Sequence, residues 1–329
     1  MKTSIKNSCD VFIQNFKVAK NTYKLDGNLP ACTSAIVLNG DVPTDPIRFK
    51  EAKEIINKNT HLLSTLGHGN ARQVVMAAVA KSDDPEYAFE QIKKIHKMLD
   101  DLFLNSDYLV VAAVNIFEYC EPKEYAGAVK RTRELYKKIK KDHPMLTSSE
   151  DIPSCVSMAC CGRQPAEIAR HCEDIFRCLK PHYFSKNNVQ FLACLLSVFD
   201  GEAQEKADAA YNVHKILKEE KFRFDGYSLA VEGVISYVVQ GSDIKKAIDE
   251  MKEVEAYLSK VRGLGNLAIG KKLRRVLAAC IVMKEYSKVD VAGGAAINSI
   301  ITTIIAQELA MIACIVATTT TAASSSSAH

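Results

Sequence analysis

The chain has 329 residues, a length that suits about two average domains or one elongated array of repeats. It is 47% hydrophobic and 25% charged, as in an ordinary folded soluble protein, and its formal net charge of +4 is too small to imply by itself a nucleic-acid or anionic-membrane partner. Glycine (15) and proline (9) are scarce, which indicates helices joined by short connections.

The eleven cysteines do not form the pattern of a disulfide-stabilised protein. The N-terminus carries no apolar run that would indicate a secretory signal, and the number of cysteines is odd. Most of them fall on predicted apolar helix faces, where a thiol packs as a small hydrophobic group. We therefore predict reduced thiols, no cofactor, no bound metal and a cytoplasmic location.

The N-terminal region combines helices with an irregular linker. A first helix is predicted within residues 1–25, where Phe12 belongs to an apolar face. A stretch marked by glycine and proline follows at residues 26–46, and a second helical face begins near Phe49. We assign residues 1–60 to this region.

Residues 61–286 form a predicted helical-repeat domain. A short helix that is apolar all round alternates with a longer helix that is apolar along one stripe, so the short helix should be buried and the long one partly wet. Five of the long helices end in the same signature, which is an apolar residue, a large residue, two spacer residues and a last apolar residue. The signature recurs at steps of 38 to 41 residues. We predict an all-α fold of five or six stacked helical hairpins, an α-solenoid-like array with a repeat of about 40 residues. The long helices should end near buried residues at the last signature position, which are Leu99, Ile139, Leu179, Leu217 and Leu258.

The C-terminal region is apolar. The segment from Val291 to Ala317 contains one charge, Glu308, and is long enough to span a bilayer, but no cluster of lysine or arginine anchors it. We predict an apolar helix over residues 287–317 that docks on the last repeat or on a second copy of the chain, which would make the protein a homo-oligomer. Membrane association through this segment is the alternative. Residues 318–329 form a predicted disordered tail.

Three stretches resemble a known family. They are residues 143–148 (His-Pro-Met-Leu-Thr-Ser) before an apolar helix, residues 188–192 (Asn-Val-Gln-Phe-Leu) at the start of the next, and the Ala/Ile-rich segment near Gln307. These stretches are similar to the bacterial domain-of-unknown-function family numbered 4003. The resemblance covers nearly the whole chain and implies an all-helical bacterial protein, without assigning a catalytic residue.

One stretch is similar to a phosphate-binding loop. Gly265 begins a match that holds up to the last position, where Lys272 replaces the hydroxyl that would bind Mg²⁺. A phosphate loop connects a strand to a helix, whereas this stretch follows a predicted helix. We interpret it as a glycine-rich link that places Lys271, Lys272, Arg274 and Arg275 on the solvent side of the next helix.

Six possible soft metal ligands lie within residues 155–178. Zinc sites usually contain closely spaced pairs such as C-x₂-C, a spacing that these cysteines do not form. We interpret the group as a packed thiol core, with metal binding as the alternative. Its members are Cys155, Cys160, Cys161, His171, Cys172 and Cys178.

The second position of the repeated signature accepts large side chains of several kinds. His96 and His214 occupy it in two repeats, Tyr136 and Phe176 in two others, and Glu255 in the last. We interpret this slot as a flank where a large side chain covers the edge of the core with its polar end in water.

A basic run of seven lysines and arginines lies between Lys130 and Lys141 on a predicted helix over residues 123–142. The apolar stripe of this helix leaves the charges on outward faces, and cations are favourable near a helix C-terminus. No exposed aromatic residues are interleaved with them. We predict a solvated face and no nucleic-acid partner.

Glu232 is the first candidate for a ligand-binding residue. It lies within an apolar helix, where an unpaired carboxylate would be costly to bury. It should therefore reach a groove edge or pair with a neighbouring group, and a structural hydrogen bond is the alternative to a ligand site. Asn115 is a second polar residue on the inward helices.

Two functional hypotheses follow. The first is a helical-repeat scaffold that binds a protein or peptide along one face. The second is an enzyme or small-molecule binder with a pocket inside the helical array near Glu232. Only Glu232 and Asn115 offer polar groups on the inward helices, so the sequence favours the scaffold and identifies no catalytic residue.

Overall fold

The computed structural model describes residues 1–24, 27–38, 42–60, 65–67, 71–239, 241, 243–287, 300–301 and 303–305. Within these ranges the regular elements are helices and no strand occurs, which confirms the predicted all-α class. Local signals explain the helix starts. Asp84 accepts a hydrogen bond from the Tyr87 amide at 3.0 Å, and Pro85 and Pro165 each take the first position of a helix.

Long amphipathic helices form an outer layer. Each buries one stripe of side chains and exposes the opposite face, as expected for helices that cover a core. In the described residues these outer helices are α1 (Thr3–Tyr23), α3 (Pro46–Asn59), α5 (Pro85–Asp100), α7 (Tyr125–Asp142), α9 (Pro165–Leu179), α11 (Ala203–Glu219) and α13 (Asp243–Ser259).

Shorter apolar helices form an inner layer. Their side chains are buried on nearly all sides, as the sequence predicts for helices without a polar stripe. In the described residues they are α2 (Asn28–Ile36), α4 (Arg72–Lys81), α6 (Asp107–Tyr119), α8 (Ile152–Cys160), α10 (Lys186–Leu196), α12 (Ala230–Val238) and α14 (Gly270–Ser287).

The two layers close into concentric rings. Each inner helix contacts the next inner helix along the chain, and α14 contacts α2. The outer helices follow the same order, and α13 contacts α1. The sequence predicts five or six stacked helical hairpins, whereas the described residues form seven pairs of helices whose series closes on itself. A rotation of about one seventh of a turn per pair brings the two ends of the series together.

The five long helices with the signature end where the sequence predicts. Leu99, Leu179, Leu217 and Leu258 are completely buried, and Ile139 is nearly so. Each lies in the last turn or turns of its outer helix. The apolar stripe of each outer helix thus faces the inner ring.

The two kinds of connection between helices lie at opposite ends of the ring. We call the end with the connections from each outer helix to the following inner helix the upper end, and the opposite end the lower end. Neighbouring connections touch each other at both ends. At the upper end Thr65 and Asn105 form a 3.2 Å hydrogen bond, and at the lower end Arg163 forms a 2.7 Å ion pair with Asp200.

The C-terminal apolar segment returns to the ring. Residues 300–301 and 303–305 are helical and buried, whereas the rest of the predicted helix and the tail at 318–329 lie outside the described residues. The Asn115 amide in α6 donates a 2.9 Å hydrogen bond to Thr303 Oγ1. This described contact is therefore with α6 in the middle of the chain, whereas the sequence predicts docking on the last repeat or on a second copy of the chain. No helix in the described ranges is long and apolar enough to cross a membrane.

Candidate functional site

Glu232 lies in the first turn of α12 at the upper end of the ring and is 1% exposed. A 3₁₀ turn at Gly226–Leu229 precedes α12, and its capping box joins the Asp225 and Ser228 side chains to the backbone. This capped turn sets the position at which the inner helix begins. The carboxylate of Glu232 is thereby directed towards α11 and the connection that follows α9.

Two side chains pair with the Glu232 carboxylate. His214 of α11 has its Nδ1 atom 3.1 Å from Oε1 and 3.0 Å from Oε2. The Tyr183 hydroxyl donates a hydrogen bond to Oε2 at 3.2 Å. Glu232 therefore pairs with neighbouring groups, which is one of the outcomes that the sequence predicts for it. We call these three residues the carboxylate cluster.

Aromatic rings surround the carboxylate cluster. The Tyr183 ring packs edge-on against the His214 ring, with centroids 4.8 Å apart. Tyr211 stacks on His182 at 4.1 Å and lies parallel to His214 at 6.1 Å. The His214 side chain keeps 26% of its area exposed, so the cluster reaches solvent through the imidazole.

Burial controls the electrostatics of this cluster. Desolvation raises the pKa of Glu232, and the hydrogen bonds from His214 and Tyr183 oppose that rise. The pKa of Tyr183 is also raised, first by burial and then by the nearby carboxylate. A proton on His214 Nδ1 satisfies the carboxylate and leaves Nε2 as an acceptor. The imidazole in this tautomer therefore offers a hydrogen-bond acceptor next to a buried carboxylate.

A hydrolytic site with this carboxylate–imidazole pair would also need a nucleophile beside His214. Among the described residues, no serine, threonine or cysteine hydrogen bonds to His214. A carboxylate–imidazole pair needs such a group in contact to catalyse acyl transfer.

The repeated slot has a structural role that the sequence did not reveal. Each side chain in it contacts a residue from a different helix pair or from the following inner helix. The ring centroids of Tyr136 and Phe103 are 5.3 Å apart, and those of Phe176 and His143 are 4.6 Å apart. Phe103 and His143 each lie on the preceding upper connection. His214 meets Tyr183 in the same way. The signal was present, because Phe103, His143 and Tyr183 each follow the last signature residue by four positions.

At two of the slot residues, the polar end of the side chain is bound to protein and does not lie in water as the sequence predicts. His96 is only 8% exposed and lies 3.3 Å from the Thr65 hydroxyl, because the upper connection folds over it. Glu255 accepts two hydrogen bonds from the Arg274 guanidinium, at 2.9 and 2.6 Å. Arg274 is itself 3% exposed, so its predicted place on the solvent side of α14 is wrong.

The stretch from Gly265 to Lys272 is the connection to α14 and the start of that helix. Gly270 begins α14 with a φ of 72°, a conformation that favours glycine. Lys272 is exposed and pairs with Asp225 at 3.2 Å. Because two helices flank the stretch, it lacks the strand that precedes a phosphate-binding loop.

The six possible soft ligands are dispersed among different neighbours. Cys172 lies 3.6 Å from Cys194 of α10, and Cys160 lies 3.2 Å from Cys120 at the end of α6. His171 Nε2 is 2.8 Å from Lys206 Nζ, a cation that also donates to backbone carbonyls at the end of α10. Among the described residues, no group of three or more His, Cys, Asp or Glu side chains is arranged to hold a metal ion.

The basic run on α7 is partly engaged with the protein itself. Arg131 donates to the Ala159 carbonyl at 2.9 Å, and Arg133 lies over the Phe103 ring at 4.7 Å. Lys140 donates to the Pro144 carbonyl at 2.8 Å. Other members of the run, including Lys130 and Lys141, are exposed as predicted.

Exposed apolar side chains at the upper end are a feature that sequence analysis missed. They lie on four different connections between an outer and an inner helix, where a single apolar residue within a loop gives no periodic signal. The four residues are Leu104, Met145, Phe184 and Leu267. Phe184 directly follows Tyr183 of the carboxylate cluster.

Comparison with known proteins gives one match. The profile of a family described as "Protein of unknown function (DUF4003)" matches residues 15–310, which run from within α1 to beyond α14 and include the carboxylate cluster. No curated protein and no solved structure matches the chain.

Proposed function

Given that the chain belongs to the DUF4003 family of proteins of unknown function, we propose that it is a binding scaffold whose upper end docks an acidic, partly apolar polypeptide. The proposal rests on one observation, the exposed apolar side chains at that end. It keeps the scaffold hypothesis and assigns it a surface.

Leu104, Met145, Phe184 and Leu267 are the most exposed large apolar side chains in the described residues, at 90%, 93%, 103% and 106%. Each would gain about 1.5–3 kcal/mol if it were fully buried. Exposed apolar residues that are scattered singly are normal on protein surfaces. These four differ in that all lie on connections at one end of the ring. A partner that spans these connections would cover them together.

Charge favours an acidic partner. Lys180 and Lys186 are exposed on either side of Phe184, and Lys260, Lys271 and Lys272 are exposed near Leu267. Opposite charge steers association and excludes basic partners. Asp100 and Asp101 precede Leu104, so we expect the acidic part of the partner to lie over the Phe184 and Leu267 connections.

The interpretation of the helix pairs as repeats of about 40 residues belongs to the same proposal. The regular signature spacing and the recurring slot contacts support it. A repeated unit would present similar connections around one end, which is how solenoid-like proteins build extended binding surfaces. The proposed setting is a reducing cytoplasm, where buried and half-buried thiols would stay reduced.

A small-molecule site near Glu232 is the second candidate function. The observation that favours it is the partly exposed His214, whose Nδ1 atom is hydrogen-bonded to the buried Glu232 carboxylate. A ligand that donates a hydrogen bond to Nε2 would fit this arrangement. The substitution His214→Phe would abolish such binding and leave docking at Leu267 unchanged.

Site-specific photo-crosslinking in cells tests the scaffold proposal. A photoreactive phenylalanine analogue at Phe184 or Leu267 should capture a discrete acidic polypeptide, identified by mass spectrometry. Capture should be lost when Lys180 and Lys186 are both replaced by glutamate. The analogue at Tyr87, an exposed residue of the lower end, is the control. Equal capture at Tyr87, or capture of lipid alone at the upper end, would contradict the proposal.

A further inference from the structure

We propose that Cys120 and Cys160 form a dithiol modification site that hydrogen peroxide oxidises to a reversible disulfide. The two sulfur atoms are 3.2 Å apart in the described structure, so a modest approach brings them to the bond length of about 2.05 Å. Cys120 caps the C-terminal end of α6, and Cys160 is the last residue of α8. Both helices belong to the inner ring, and both cysteines lie at its lower end.

Access distinguishes this pair from the other close pair of cysteines. Cys120 lines an open cleft of about 400 Å³ with Tyr87, Glu118 and Pro122, and both members of the pair are half-buried. Cys172 and Cys194 are 3.6 Å apart but buried between α9 and α10. Reactivity of a thiol follows its thiolate character and exposure, so peroxide should reach the first pair only.

The two thiols have different roles. The contact with the Cys160 thiol and the charge of Arg131 lower the pKa of Cys120, and burial opposes that change. Arg131 is held in place by its bond to the Ala159 carbonyl, next to Cys160. The pKa of Cys160 is raised. Because Cys120 lines the open cleft and lies near the Arg131 charge, we assign it as the attacking thiolate and Cys160 as the resolving thiol.

The reaction consumes one peroxide molecule. Cys120 Sγ attacks a peroxide oxygen, the O–O bond breaks, and the departing hydroxide takes a proton to become water. The resulting sulfenic acid is attacked by Cys160 Sγ, the S–O bond breaks, and the departing hydroxide takes the Cys160 proton as a second water. Two thiols are oxidised by two electrons and peroxide is reduced. A small dithiol such as dithiothreitol reverses the step.

Peptide mass spectrometry of the full-length protein tests the proposal. Reduced protein is treated with hydrogen peroxide, quenched with catalase, unfolded in excess alkylating reagent and digested. We expect a peptide pair joined through Cys120 and Cys160, with Cys172 and Cys194 fully alkylated. Dithiothreitol should abolish the joined pair. Failure to find it, or joining of Cys172 to Cys194 at the same rate, would overturn the proposal.

Single substitutions assign the two roles. In Cys160→Ser, Cys120 should stop as a sulfenic acid that dimedone labels, whereas in Cys120→Ser, Cys160 should stay reduced. Cys161→Ser is the matched control, because Cys161 adjoins Cys160 but donates to the Met158 carbonyl instead. That variant should form the joined pair at the wild-type rate. Loss of the joined pair in Cys161→Ser would show that Cys161, and not Cys160, is the resolving thiol.

Discussion

Buried charges at the upper end show how single residues are stabilised in this fold. The Glu232 carboxylate is paired with an imidazole and a phenol, and the Arg274 guanidinium is paired with Glu255. Asp151 is buried with hydrogen bonds from the Ser148 amide at 2.8 Å and from the Gln190 side chain at 3.2 Å. Each charged group is thus satisfied by partners from another segment, because an unpaired buried charge would be costly.

Asp151 should make stability depend on pH. Burial raises its pKa from 3.8 to about 6, so the folded state holds the proton more tightly than the unfolded state. Stability from this group is present below pH 4 and is lost as pH rises through 6, by about 2–3 kcal/mol. We expect the free energy of unfolding of the wild type, relative to Asp151→Asn, to fall by this amount between pH 4 and pH 7 in urea titrations. A difference that is constant or that rises with pH would contradict this assignment.

His214 and Glu232 should be energetically coupled. His214→Phe keeps the ring packing but removes the main partner of a buried carboxylate, and we expect a loss of about 1–3 kcal/mol in the free energy of unfolding. The same substitution in a Glu232→Leu background should cost less, because no charge is then left unpaired. His96→Phe is the control, since His96 has no carboxylate partner among the described hydrogen bonds. Additive costs would show that the two groups do not interact.

At the scale of helices, close approach within the inner ring determines which residues are tolerated. Gly233 lies in α12 where a Cβ atom would be 2.7 Å from Leu192 Cδ1 of α10. Leu192 is completely buried and cannot move aside freely. Gly127 lies in outer helix α7, and the nearest atom to its added Cβ is Nη1 at the end of the Arg131 side chain, at 3.2 Å, which needs to shift by only a few tenths of an ångström.

Replacing these two glycines by alanine should have opposite effects. Alanine favours a helix over glycine by about 0.5–1 kcal/mol, so Gly127→Ala should raise the free energy of unfolding. Gly233→Ala should lower it, because overpacking a core costs about 1–3 kcal/mol. Thermal and urea unfolding of the two variants measure the signs. A rise in the free energy of unfolding for Gly233→Ala would contradict the prediction, because it would mean that α10 and α12 can move apart at little cost to admit the added methyl group.

Closure of the ring is the main property at the scale of the whole molecule. The contacts of α1 with α13 and α14 join residues far apart in the chain. The Tyr257 hydroxyl donates to Asp10 at 2.6 Å, and Phe16 packs on Gly263, where an added Cβ would be 3.1 Å from the ring. An open array would instead leave its first and last pairs with one neighbour each, free to unravel from the ends.

Phe16→Ala tests this closure. Phe16 is 1% exposed, and its truncation should cost about 3–5 kcal/mol of unfolding free energy. In a closed ring, hydrogen exchange with increasing urea should show α1 and the distant α8 losing protection in the same transition. Loss of α1 at lower urea while α8 stays protected would indicate an array with independent ends. Lys17→Ala, an exposed change on the same helix, should leave both unchanged.

The sequence by itself determined the class of fold, the positions of the five signature helix ends and the burial of their last residues, because helical periodicity, capping residues and proline are local signals. It also indicated that Glu232 must find a partner. Only the tertiary structure showed that His214 and Tyr183 are those partners, that Arg274 is buried beside Glu255, and that the first and last helices meet. The first two outcomes depend on how neighbouring helices pack, and the third depends on the rotation per helix pair that accumulates around the ring. No short stretch of sequence encodes the sum of such rotations.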